Sequence, residues 1–331
     1  TFSISGAALA FIALVFIIHY GTTTDFVLGG VLDAEKISGM EELLKFVFLL
    51  AFVGFGTKAA VFPMYAWLPA ASVAPTPVTA LLHAVAVVNA GAYAVLRVIY
   101  YSFGASFLYG TWAQTVALLL SCFTILFGST MAVREQHFKR RLAYSTISNL
   151  SYMLMGAALM TPDGMTGSLS HLVIHGVIKI TLFYCAGAIL IKTGKEYVQD
   201  LRGYSRIMPA TCGIFLLGSI ALVGTPPLAG FVSKWNLLTA ASATGLPMGT
   251  VAIVCLIISA ILTAIYLFTA ALPMYFRPLN ADQAQLAGQK LDPSWMMLVP
   301  MGILCALMIG LGLWSQPLVT FLRNISAGVI F

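Results

Sequence analysis

Apolar residues fill the chain in long runs interrupted by short polar segments, with no strict alternation of the kind a half-buried strand requires. A helix needs roughly 20 such residues to cross about 30 Å of hydrocarbon. At that length the runs fall at 4–20, 43–65, 77–100, 111–132, 142–160, 167–191, 208–238, 248–275 and 294–318. The pattern predicts an all-α polytopic membrane protein with about nine transmembrane helices. Barrel strands are excluded, because the runs far exceed the roughly ten alternating residues that one strand would use.

Two runs carry breaks. One reads Phe55-Gly56-Thr57-Lys58-Ala59-Ala60-Val61-Phe62-Pro63, and the other Val223-Gly224-Thr225-Pro226-Pro227-Leu228-Ala229-Gly230. Glycine and proline at membrane depth release backbone carbonyls, which is tolerated where protein or water satisfies them. Pro63, Gly224, Pro226 and Pro227 therefore mark candidate helix breaks, each with a lysine nearby.

Composition agrees with the pattern: of 331 residues only 8% are charged, against roughly 25% in soluble domains. The net charge of +6 forms no long basic run, which disfavours a nucleic-acid reader. The charges alternate between loops. Arg134, Lys139, Arg140 and Arg141 fall in one loop, Lys192, Lys195, Arg202 and Arg206 in the next on that side, and Arg277 and Lys290 in a third. These read as cytoplasmic by the positive-inside rule. The C-terminus is then expected on the non-cytoplasmic side of a membrane, which we take to be a prokaryotic cytoplasmic membrane.

All 11 acidic residues fall in loops or at span ends. Lys58, Lys179 and Lys234 fall inside apolar runs, where a lysine costs about 2.5 to 3.5 kcal/mol on insertion scales. His171, His175 and Lys179 are spaced i, i+4, i+8 and should form one polar stripe, neighbours about 6 Å apart. Imidazole both donates and accepts a proton near neutral pH, so such a stripe can relay protons. A metal site and a hydrogen-bonded structural seam are the competing readings; zinc would need a third ligand and no cation beside it. His83 is a further relay candidate. The five cysteines lie singly in apolar surroundings and read as small buried hydrophobes. The first residue is Thr1 and the opening run has no basic lead-in, so we expect the chain to begin inside a longer polypeptide, with any glutamate partner of Lys58 lying elsewhere.

Taken together, Lys58 to Pro63, Trp67-Leu68-Pro69, the Ala74 to His83 segment, Leu142 to Thr146, His171-Leu172-Val173-Ile174-His175 with Lys179, and Pro226 to Phe231 with Ser233-Lys234 resemble the antiporter-like subunits of respiratory complex I, Mrp antiporters and membrane-bound hydrogenases. The resemblance implies a fourteen-helix fold built on two inverted five-helix repeats, each with a broken helix bearing a functional lysine. It implies proton-translocation roles for Lys58, His83, Lys139, His171, His175, Lys179 and Lys234. It also implies that residues 1–110 end a first repeat, 111–275 form the second, and 276–331 add a loop and a last helix. Asn89 departs from the pattern, standing where several relatives carry a lysine; it is a doubtful relay position that could instead make a helix–helix hydrogen bond.

The expected function is proton translocation as a non-redox subunit of a redox-driven pump of the NADH:quinone oxidoreductase or hydrogenase type. No cofactor or metal site is expected in this chain, redox cofactors belonging to partner subunits. The expected partners are other membrane subunits, lipid, protons and, as a second candidate ion, Na⁺. An Mrp-type Na⁺/H⁺ antiporter subunit is the rival within transport, and a non-conducting structural subunit is the rival of another class.

Overall fold

The computed structural model describes residues 2–72, 74–245, 247–280, 285–286 and 288–328. The described chain is helical: α1 (Phe2–Tyr20), α2 (Glu41–Gly56), α3 (Trp67–Ala71), α4 (Thr76–Ala84), α5 (Val87–Arg97) running into a π-helical turn Val98–Phe103, α6 (Ala105–Leu108), α7 (Trp112–Arg134), α8 (Phe138–Ala158), α9 (Pro162–Thr193), α10 (Pro209–Val223), α11 (Ala229–Ala243), α12 (Pro247–Phe276), α13 (Trp295–Leu313) and α14 (Gln316–Ser326).

Six of these segments are long and apolar enough to cross a membrane: Phe2–Tyr20, Thr76–Phe103, Trp112–Arg134, Pro162–Thr193, Pro247–Phe276 and Trp295–Leu313. The other three expected runs differ for identifiable reasons. Two are the broken ones, α2 with α3 and α10 with α11. The third, α8, is almost wholly buried and carries Ser145, Thr146, Ser148, Asn149 and Ser151, because it faces protein and not lipid. Conversely, α12 and α13 leave Val254, Ile257, Ile261, Ile265, Val299, Ile303 and Leu307 exposed, as lipid-facing helices do.

The 32-residue helix α9 is the hub. It packs against α4, α8, α10, α11, α13 and α14, so groups along its length meet both halves of the second broken helix, α10 and α11, as well as α4. The three basic loops converge at one end. Phe138 N–H donates to Glu196 O (2.7 Å), Val198 N–H to Gln136 O (3.0 Å), Gly203 N–H to Pro273 O (3.0 Å) and Leu291 N–H to Ile207 O (2.7 Å). The acidic 21–40 segment closes the other end, with Val31 N–H donating to Ser102 O (2.9 Å). Segregation of the loops by charge is therefore a property of the folded chain. Asp282, one of the loop acids, and Phe331, the C-terminal residue, lie outside the described residues.

Three features depart from the sequence reading. Lys139, Arg140 and Arg141 belong to the first turn of α8 and not to a loop. The run at 77–100 is interrupted at Val85 and Ala86, between α4 and α5, with no proline or glycine to announce it. Beyond the last span, α14 forms a separate helix that starts at Gln316 and packs on α9.

Candidate functional site

At the first break, α2 ends at Gly56 and the chain turns through Lys58 to Phe62, whose N–H donates to Thr124 Oγ1 (3.2 Å), before a cis Phe62–Pro63 peptide and α3. Trp67 Nε1 donates back to Thr57 O (2.8 Å), closing the loop on itself. Lys58 sits in this turn against Gly91 of α5, and its side chain is exposed on the flank of the bundle. The sequence placed Lys58 within an apolar run with any glutamate partner lying elsewhere; here its side chain has no hydrogen-bond or ion-pair partner among the described residues.

At the second break, α10 ends at Gly224, a left-handed C-cap with φ 96°, and α11 restarts after Thr225 to Leu228, which include the cis Pro226–Pro227 peptide. Lys234 reaches back across this gap. Its Nζ donates to Leu222 O (2.7 Å) and Val223 O (2.9 Å), the terminal carbonyls of α10. A helix C-terminus carries orphan carbonyls and partial negative charge, so the break itself supplies the site for this cation. Gly224 is required twice over: for its positive φ, and because a Cβ there would lie 2.9 Å from Lys234 Cδ.

Between the breaks runs the α9 stripe. His171 Nδ1 pairs with Ser233 Oγ (2.9 Å), one residue before Lys234, and its ring lies 5.8 Å from that of His175. Lys179 Nζ donates to Leu142 O (3.0 Å) and Ser145 Oγ (2.7 Å) of α8. His83, at the end of α4, stacks on Phe183 at 4.8 Å, one helical turn beyond Lys179. His83, His171, His175, Lys179 and Lys234 are all buried. Both ring nitrogens of His83 and of His175, and Nε2 of His171, have no hydrogen-bond partner among the described residues. The structure thus joins five of the seven expected proton-site residues into one line, sets Lys58 off on the flank, and puts Lys139 elsewhere.

Lys139 is buried at the start of α8 and donates to Ala74 O (3.1 Å), tying the segment before α4 to the second half of the chain. Asn89 is buried as well. Its Nδ2 donates to Ala84 O (2.8 Å), a carbonyl at the unexpected break between α4 and α5, so the side chain bridges the two helices. Asn89→Leu is expected to leave that carbonyl unpaired and to destabilise the chain by about 1 to 3 kcal/mol. An unchanged unfolding midpoint in detergent would contradict this account.

The sequence reading missed a hydroxyl cluster. Ser145, which accepts from Lys179, also bonds Tyr266 (2.5 Å), and Tyr266 OH donates to Thr263 Oγ1 (3.4 Å). One turn away Ser259 Oγ meets Ser129 (2.5 Å), Ser148 (3.2 Å) and Tyr152 OH (2.8 Å). The face of the Tyr152 ring lies 5.4 Å from Lys234 Nζ. A second polar connection therefore links the surroundings of Lys179 and Lys234 through α7, α8 and α12. Its signal was present in the spacing 145, 148, 152 on α8 and 259, 263, 266 on α12, which places each set on one helical face. Among the described residues no group of three or more His, Cys, Asp or Glu could hold a metal ion.

Arg97 also falls within an apolar run. Its guanidinium lies 3.6 Å from the centroid of Phe26, in the acidic end segment, and the structure thereby separates it from the lysine line.

Comparison with known proteins gives a consistent result. Residues 2–263 match the family described as NADH:quinone oxidoreductase/Mrp antiporter, TM. The chain is 33% identical over 289 residues to NADH-quinone oxidoreductase subunit N of Desulforudis audaxviator, covering 84% of this chain and 56% of that protein. It is 35% identical over 262 residues to subunit L of Rickettsia bellii, covering 78% of this chain and 39% of that one. The chain thus spans about half or less of the length of these curated relatives. In fold it is similar to chains of the Mrp complex of Dietzia sp. (TM-score 0.84, 22% identity, 99% of this chain and 66% of the other) and of Thermus thermophilus respiratory complex I (0.80, 24%, 99% and 67%). The chain is an integral multi-pass membrane protein of antiporter-like fold and belongs to the NADH:quinone oxidoreductase/Mrp antiporter family.

Proposed function

We propose that this chain conducts protons through the membrane along the line His83, Lys179, His175, His171, Ser233 and Lys234, as a subunit of a redox-driven pump of the complex I type. One observation carries the reading: Lys179 and Lys234 lie buried in the bundle with hydroxyl and carbonyl partners but no carboxylate among the described residues. A cation held this way keeps its proton exchangeable, whereas a tight ion pair would fix it.

Lys179 is the central carrier in this scheme. Its proton passes to His175, on to His171 and through the Ser233 hydroxyl toward Lys234, water completing the gaps at the unpaired imidazole nitrogens. Two positive charges repel strongly where water is scarce, so charging one lysine disfavours charging the next and a remote event can drive protons stepwise. His83 feeds Lys179 from the side of α4, and Asn89 contributes a fixed hydrogen bond without taking up a proton. Lys58, on the open flank, would exchange protons with a carboxylate of a neighbouring membrane segment or subunit. Lys139 anchors the helix junction beside the path. The two helix–break–helix elements, each with its lysine, support reading residues 1–110 and 111–275 as parts of two repeats, followed by 276–331.

The identity to subunits N and L of NADH-quinone oxidoreductases supports the redox-coupled branch over an Mrp-type antiporter. The test uses inverted membrane vesicles from cells with and without this chain, supplied with NADH and read with a pH-sensitive dye. NADH-driven acidification is expected to depend on the chain and to persist when sodium is replaced by choline. Acidification that is lost without sodium, or sodium-driven exchange without NADH, would favour the antiporter reading. Acidification indifferent to the chain would favour a non-conducting structural subunit.

A further inference from the structure

We propose that the basic end of the bundle holds a binding site for an anionic phospholipid, with its phosphate among Arg141, Arg202 and Arg277 and an acyl chain along the outer face of α12. Two adjoining concavities build the site. One, of about 290 Å³, is lined among others by Gln136, Arg141, Gln199, Arg202, Thr269 and Arg277. The other is a groove of about 630 Å³ lined by Ile265, Phe268, Leu272 and Phe276. They share Thr269, Pro273 and Arg277, so the polar cavity opens directly onto the apolar groove.

The arginines differ in how they are held. Arg141 is buried and fixed by the protein: Nε donates to Glu135 O (2.9 Å), and one terminal nitrogen to Tyr266 O and Thr269 Oγ1 (2.9 Å each). That leaves its second terminal nitrogen without a protein partner among the described residues. Arg202 and Arg277 are exposed and form no salt bridge there, although Glu135 and Glu196 lie in the same loops. Glu135 uses one carboxylate oxygen on the His137 N–H (2.9 Å), and Glu196 faces His137 Nε2 (3.4 Å). Three guanidinium groups at one cavity, none in a salt bridge among the described residues, though the Glu135 carboxylate acts on Arg141 through charge, match a phosphodiester by charge and by their planar donor geometry.

The groove decides what carries that phosphate. Phe276 is 82% exposed and Leu272 46% on a helix whose outer residues are otherwise lipid-facing. A free phosphate has no use for such a surface, whereas a phospholipid covers it while its headgroup stays at the basic, loop-bearing end. Basic cavities between membrane helices recognise anionic headgroups by the same combination. Arg141 lies one helical turn before Ser145, the acceptor for Lys179, so a bound lipid would brace the α8–α12 junction beside the buried lysine.

The test measures lipid binding to the delipidated full chain in detergent by native mass spectrometry, using phosphatidylglycerol, phosphatidylcholine and inorganic phosphate as probes. Wild type should bind phosphatidylglycerol roughly thirty-fold more tightly than the same chain carrying Arg202→Gln and Arg277→Gln, about a factor of five for each arginine lost. Both side chains are exposed, so the melting midpoint should not move; Arg277→Gln alone should give an intermediate affinity. Leu272→Trp, which fills the groove, should weaken phosphatidylglycerol and leave inorganic phosphate unaffected. Equal binding of the two lipids, an unchanged affinity in the double variant, or inorganic phosphate binding as tightly as the lipid would overturn the proposal.

Discussion

Lys179→Ala is expected to reduce NADH-driven proton uptake into inverted vesicles by at least about tenfold, a barrier change of about 1.4 kcal/mol or more. Lys179 is the link between His83 and the α9 histidines, and the hydroxyl cluster also meets the line at its partner Ser145. Alanine removes the basic group on that turn of α9. Folding should survive. The substitution leaves Leu142 O and Ser145 Oγ without one donor, but Leu142 O also accepts from Thr146 Oγ1 (3.1 Å) and Ser145 retains Tyr266. Removing a buried charge offsets much of the lost bonding. Lys179→Arg gives the sharper control, because a guanidinium keeps the charge but does not release its proton in this range. Both variants should therefore fail in transport at a normal melting midpoint. Wild-type uptake in Lys179→Ala would remove the central step of the proposed path.

Gly230→Val should have the largest effect on stability, about 3 kcal/mol, read as a lowered melting midpoint and a reduced level in the membrane. Gly230 lies in the first turn of α11, against Ala221 of α10. A Cβ there would fall within the van der Waals shell of the Ala221 carbonyl oxygen, and 2.9 Å from its carbon. That obstacle is backbone and cannot rotate away. The two half-helices must separate, and Lys234 then loses its reach to Leu222 O and Val223 O. Gly230→Ala should show the same defect in smaller degree, and a normal midpoint for the valine variant would mean that the contact is not constrained as described.

Much of the fold and part of the site are legible in the amino-acid order. Nine spans can be drawn because hydrocarbon demands long apolar runs, and the breaks at Lys58 to Pro63 and Gly224 to Gly230 are visible because glycine and proline interrupt helices for local reasons. The stripe His171, His175, Lys179 follows from helical period alone, and the observed 5.8 Å between the histidine rings agrees with it. The break at Val85 and Ala86 is not legible, since nothing in those residues forbids a helix. It is held open by Asn89 bonding Ala84 O, and that side chain reads equally well as an ordinary helix–helix contact. Arg141 reads as a loop charge because its acceptors, Tyr266 O and Thr269, lie more than a hundred positions away.

The amino-acid order by itself determined what is local or periodic: which segments avoid water, where helices must stop, which end of the bundle is basic, and which groups share a face of α9. Only the tertiary structure decided what each interior lysine meets. Lys179 found hydroxyl and carbonyl partners on α8, and Lys234 found the carbonyls that its own helix break had released. The reason is physical. Helical period and apolar length are fixed by the covalent chain, whereas the partner of a buried charge depends on which distant segments pack beside it.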